Sequence, residues 1–141
     1  MGEIGGLAVF AAWCAWLSVS DLRTRRLPNA VTLPGAAVIL AAAAVGDHLR
    51  PALVGGCLLA GGYLLVHLAR PAAMGGGDVK LALGLGAVTA MAGPQAWLAA
   101  AVGAFVVTAC VGGALRLAGR PVAHLPHGPS MCLVSLLALA L

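Results

Sequence analysis

Residues 95–115 read QAWLAAAVGAFVVTACVGGAL, twenty-one positions with no charge, no proline and no alternation of apolar with polar side chains. At 1.5 Å of rise per residue, a helix of this length reaches about 31 Å, which matches the hydrocarbon core of a bilayer. A membrane strand would show a two-residue period and a water-soluble helix would keep a polar face. The segment has neither, so it reads as a membrane-spanning helix.

Working outward and cutting at charges, prolines and glycines, five more apolar segments appear: 4–20, 30–45, 51–69, 79–92 and 129–141. The segment 51–69 is long enough to span. Those at 79–92 and 129–141 reach only about 20 Å, and crossing requires local thinning, helical continuation into the flanks, or shielding inside a bundle. Composition carries the same message. Apolar residues make up 62% and charged residues 9%, with a mean hydropathy of +1.04, so too few polar residues exist to cover a water-facing surface. The expected fold is all-α: one polytopic membrane bundle over residues 1–141 with about six transmembrane helices.

The formal charge is +4, but the cations are dispersed, which argues against nucleic-acid binding and for contact with the lipid bilayer. Arg23, Arg25, Arg26, Arg70, Lys80, Arg116 and Arg120 fall in or beside the first, third and fifth connections, whereas Arg50 alone falls in the second. Because Lys and Arg are retained on the cytoplasmic side, the odd connections are expected in the cytoplasm and the N-terminus outside. The start carries Glu3 where a secretory signal carries a cation, so the first apolar segment is expected to remain as a spanning helix.

Cys14, Cys57, Cys110 and Cys132 each lie inside an apolar segment without metal-ligand spacing, and read as small packing residues. Trp13, Trp16 and Trp97 read as anchors or packing residues. His67, His124 and His127 flank helix ends, also without ligand spacing; no metal and no cofactor are expected. Among the twenty glycines, the pairs at 55–56, 61–62 and 112–113 and the spacings Ala82/Gly86 and Ala99/Gly103 favour close helix contact.

The chain has four acids. Glu3 and Asp47 are placed by the charge bias at the outer ends, where solvation is cheap. Asp21 and Asp78 abut the opposite ends of apolar segments, where an ionisable group is costly and marks function. On this topology both reach one membrane face. Two carboxylates brought together can share a proton, one activating water and the other polarising a carbonyl. Interfacial acids balancing the arginines, or a cation relay, are the alternatives. Gly75, Gly76 and Gly77 precede Asp78 and form a run expected to allow close backbone approach and positive φ. On helix polarity alone Asp78, at a helix N-terminus, is the expected base, and Arg23 and Arg25 would reverse that bias by stabilising an ionised Asp21 at its helix C-terminus.

The stretch Asp21-Leu-Arg23-Thr-Arg-Arg-Leu-Pro28-Asn29 resembles the first signature of bacterial type IV prepilin peptidases. Met74-Gly-Gly-Gly-Asp78-Val-Lys80-Leu81 resembles their GxGD signature, and Leu125-Pro-His127-Gly-Pro129 is similar to a third motif in which an aromatic is more usual than His127. This resemblance implies a membrane aspartic endopeptidase with Asp21 and Asp78 as its catalytic pair, Gly75 to Gly77 as a backbone-approach loop, and Arg23, Pro28, Asn29 and Lys80 supporting the motifs. It also implies a prepilin-like precursor as substrate, cleaved after a Gly at the border of a cytoplasmic leader, in the bacterial inner membrane. The cysteine-rich region that full-length family members use in N-methylation has no counterpart here, so a short peptidase-only form is expected. Read without the resemblance, the two acids also suit a small proton- or cation-coupled transporter subunit.

Overall fold

The computed structural model describes residues 2–120 and 122–141; the side chain of Glu3, expected at an outer helix end, lies outside that description. Among the described residues the chain forms six helices and no strand: α1 (Gly2–Thr24), α2 (Asn29–Val45), α3 (Leu49–Ala69), α4 (Gly76–Ala92), α5 (Pro94–Leu117) and α6 (Gly128–Ala140). Ile4–Thr24, Leu49–Ala69 and Pro94–Leu117 are long and apolar enough to cross a bilayer. All six expected segments are helical, and the differences lie at their ends. Helix α1 runs on through Thr24, which carries Asp21 into its last turn, and α4 starts at Gly76 rather than Val79.

The added turn brings α4 to 17 residues, about 25 Å. Its length matters less than its position. Helix α4 is the centre of the bundle, packed against α2, α3, α5 and α6, with Leu81, Ala82, Gly84, Leu85, Gly86, Ala87 and Thr89 buried. Four neighbours shield it, the arrangement expected of a segment too short to span by length alone. Helix α1 leans on α6 and touches α2 only lightly.

Close contact between α3 and α4 comes from glycine. A Cβ on Gly86 would lie 2.6 Å from the Gly55 carbonyl oxygen, and one on Gly56 would lie 2.7 Å from that of Leu83. Such backbone-to-backbone contact supplies van der Waals attraction where lipid offers no hydrophobic drive. Gly103 instead receives a side chain, Val134 of α6, whose Cγ1 would lie 2.6 Å from a Cβ there. Gly61, Gly62 and Gly113 do not serve this role: they face open space. Two indoles stitch the helices, Trp13 Nε1 donating to Val31 O at 3.1 Å and Trp97 Nε1 to Gly55 O at 3.0 Å.

Outward-facing Leu58, Leu65, Val102, Val106 and Leu137 form the apolar surface that a bilayer would cover. Cys14 of α1 and Cys132 of α6 are buried in the same apolar core. Cys57 and Cys110, also expected as packing residues, are exposed on that outer surface instead.

Candidate active site

Asp21 and Asp78 come from opposite kinds of helix end. Asp21 stands in the last turn of α1, and Asp78 is the third residue of α4, where its Oδ2 accepts the Gly75 N–H at 3.3 Å while its own N–H donates to Gly75 O at 3.2 Å. This reciprocal cap satisfies first-turn groups that would otherwise be orphaned, and it sets the carboxylate against the positive end of the helix. Both side chains are buried, with 6% and 8% of their surface exposed.

The two acids line one cavity of about 550 Å³. The rest of its wall is residues 25–29 and 75–77, so the two quoted stretches of sequence, some fifty positions apart, close around a single space. Three contacts hold them there. Lys80 Nζ of α4 donates to Asn29 Oδ1 of α2 at 2.8 Å. His67 Nδ1, at the end of α3, bonds the Met74 carbonyl oxygen at 2.6 Å and ties down the segment before the glycines. A Cβ on Gly77 would lie 2.9 Å from Cβ of Leu27, so the two stretches touch through a residue without a side chain.

Asp21 has a backbone partner of its own. The Gly128 N–H, at the start of α6, donates to Asp21 Oδ2 at 3.1 Å. The carboxylate that helix polarity set against a negative helix end therefore also meets a positive one, and both acids face helix N-termini. Helix polarity no longer favours Asp78 over Asp21 as the base.

Residues 8–116 match the type IV leader peptidase family. The chain belongs to the type IV leader peptidase family. No curated protein and no solved structure matches it.

In this leader peptidase the sequence-derived positions divide clearly. Asp21, Asp78, Gly75, Gly76, Gly77, Pro28 and Asn29 line the cavity, and Lys80 braces it through Asn29. Arg23 is exposed and outside the lining, whereas Arg25 and Arg26, read as orientation determinants, form part of it. Arg25 ends α1 with a left-handed φ of 52°, which turns the chain sharply back over the site. Gly75 has φ of −74° and, with Gly76 and Gly77 inside the first turn of α4, the run is a helix start and not a positive-φ loop. Its use is close approach. Among the described residues no group of three His, Cys, Asp or Glu side chains is placed to hold a metal ion.

His127 is the residue that sequence reading missed. Taken as a helix-end flank, it is instead 7% exposed, with Nε2 3.0 Å from the Tyr63 hydroxyl of α3 and Nδ1 2.7 Å from the Thr108 hydroxyl of α5. Phe105 packs beside the ring, centroid to centroid 5.0 Å. Burial pushes its pKa down to about 4, so the ring is neutral at physiological pH. The only advance signal was its place in the Pro-His-Gly-Pro turn.

Proposed function

We propose that this leader peptidase is a membrane aspartic endopeptidase that removes the basic leader from type IV pilin-like precursors, using Asp21 and Asp78. The observation that carries the reading is the shared cavity: two buried carboxylates, one from each signature, open onto the same space. Two acids so placed suit hydrolysis. The ionised one takes a proton from water as the oxygen attacks the scissile carbonyl, and the protonated one donates a hydrogen bond to the carbonyl oxygen as charge develops there. Collapse of the tetrahedral species returns a proton to the departing amine. The glycine-flanked mouth leaves room for an extended peptide backbone, which gives the substrate a path to buried acids.

The orientation follows from charge. Seven of eight cations flank the connections at the end of the bundle that holds the acids, so that end faces the cytoplasm of the bacterial inner membrane and the N-terminus lies outside. A precursor whose leader stays in the cytoplasm and whose apolar helix enters the bilayer would present its junction at this depth. Coexpression with such a precursor tests the proposal. Wild type shortens the precursor on a gel, while Asp21→Asn and Asp78→Asn each abolish shortening and still accumulate in membranes. Full processing by either variant rejects the pair.

A further inference from the structure

We propose that the His127 ring, clamped between Tyr63 and Thr108, is a positioning residue of the peptidase site that holds the Gly128 N–H on Asp21. The inference rests on the peptidase reading of the acid pair, and its structural half stands on separate observations.

Asp21 reaches Gly128 across 107 positions of chain, so nothing local maintains the 3.1 Å bond between them. What maintains it is the placement of the first turn of α6. That turn opens with His127, whose carbonyl accepts the Met131 N–H at 3.1 Å, and whose ring is bonded on one side to α3 and on the other to α5. A neutral imidazole has one N–H donor and one acceptor nitrogen, and both partners are hydroxyls that can supply either role, so every polar atom of the clamp finds a partner. The ring is thus fixed in direction as well as position. Its neighbour in sequence, Gly128, inherits that placement.

The fit at Asp21 leaves little slack. A Cβ on residue 128 would lie 2.7 Å from Asp21 Oδ2, so only glycine brings its amide this close, and a small shift of α6 would break the bond. Catalysis by paired groups is sensitive to such shifts: misplacement of about 1 Å can cost about a hundredfold in rate. Removing one member of a buried polar cluster also leaves its partners unsatisfied, which loosens the clamp beyond the loss of a single contact.

The test uses the full chain in detergent micelles and a synthetic precursor with a basic leader, a glycine and an apolar helix. Two quantities are read: kcat against KM, and hydrogen exchange at the Gly128 amide. His127→Ala is expected to lower kcat at least tenfold with KM within twofold, and to speed Gly128 exchange at least tenfold. His127→Gln, which can still bond one hydroxyl, recovers kcat to within about threefold. Should His127→Ala fail to accumulate, Thr108→Val, losing one hydroxyl at nearly constant volume, shows the same two changes at smaller size. Wild-type kcat in His127→Ala, or an activity loss matched only by loss of folded protein with Gly128 exchange unchanged, overturns the proposal. A wild-type chain that cleaves no precursor overturns the peptidase reading and the catalytic half of this one, while Gly128 protection would still report the clamp.

Discussion

Lys80 Nζ donates to Asn29 Oδ1 at 2.8 Å, joining the two signature stretches above the cavity that both acids line. A hydrogen bond from a charged donor contributes about 1.5–3 kcal/mol when sheltered and less at a surface, where Asn29 lies. Its value here is positional, because Asn29 opens α2 and Lys80 stands in the first turns of α4.

Lys80→Met and Asn29→Ala are therefore each expected to slow precursor cleavage by about threefold to tenfold. The double variant is expected to be no slower than the worse single, since both remove one bond. A double-mutant cycle on kcat/KM measures this, and multiplicative losses would show that the two residues act apart.

Gly128→Ala places a methyl 2.7 Å from Asp21 Oδ2, so the carboxylate must turn away or α6 must back off. Either breaks the 3.1 Å bond from the Gly128 amide. Cleavage is expected to fall at least tenfold while membrane accumulation stays near wild type. Activity within twofold of wild type would show that this amide has no part in setting Asp21.

Stability should respond to pH through His127. Its pKa is about 4 in the folded protein against 6.5 ordinarily, so between these values the unfolded chain takes up a proton that the folded one refuses. Stability is complete above about pH 6.5, falls with decreasing pH, and levels off below about 4. By pH 5 the loss is about 2 kcal/mol. Unfolding of wild type and His127→Phe in one detergent at pH 8 and pH 5 reads it: wild type loses about 2 kcal/mol more than the variant. Parallel losses would mean that the ring does not titrate in this window.

Gly86→Ala tests the α3–α4 contact. The new methyl would meet the Gly55 carbonyl oxygen at 2.6 Å, backbone that cannot step aside as a side chain can. Overpacking of this kind costs about 1–3 kcal/mol. The expected result is a lowered unfolding midpoint for Gly86→Ala and none for Gly61→Ala, which faces open space.

The helices were legible because membrane insertion is decided over windows of about twenty residues, and each window can be summed without reference to any other. Hence 95–115 and 51–69 stood out at once. The end of α1 did not, because Asp21 and Arg23 look like a stop until the α6 amide that donates to Asp21 is known. Among site residues, Asp21, Asp78 and the glycines carried signals of their own: ionisable groups at membrane depth, and a run with no side chains. Arg25 and Arg26 gave no separate signal of their place in the cavity wall, since a cation beside a spanning helix already has an explanation in topology. His67 and His127 gave almost none.

Two properties belonged to the chain before it folded: that its helices would seek a bilayer, and that two costly acids would stand at the same end of them. Both are sums over near neighbours, of hydropathy in one case and of charge in the other. Folding alone decided which amides those acids meet, that Lys80 would turn to Asn29, and that a histidine 64 positions from a tyrosine would bond it in the interior. Such pairings depend on how helices rotate and tilt against one another. That is settled by contact between small residues such as Gly55 and Gly86, and no period in the sequence records it.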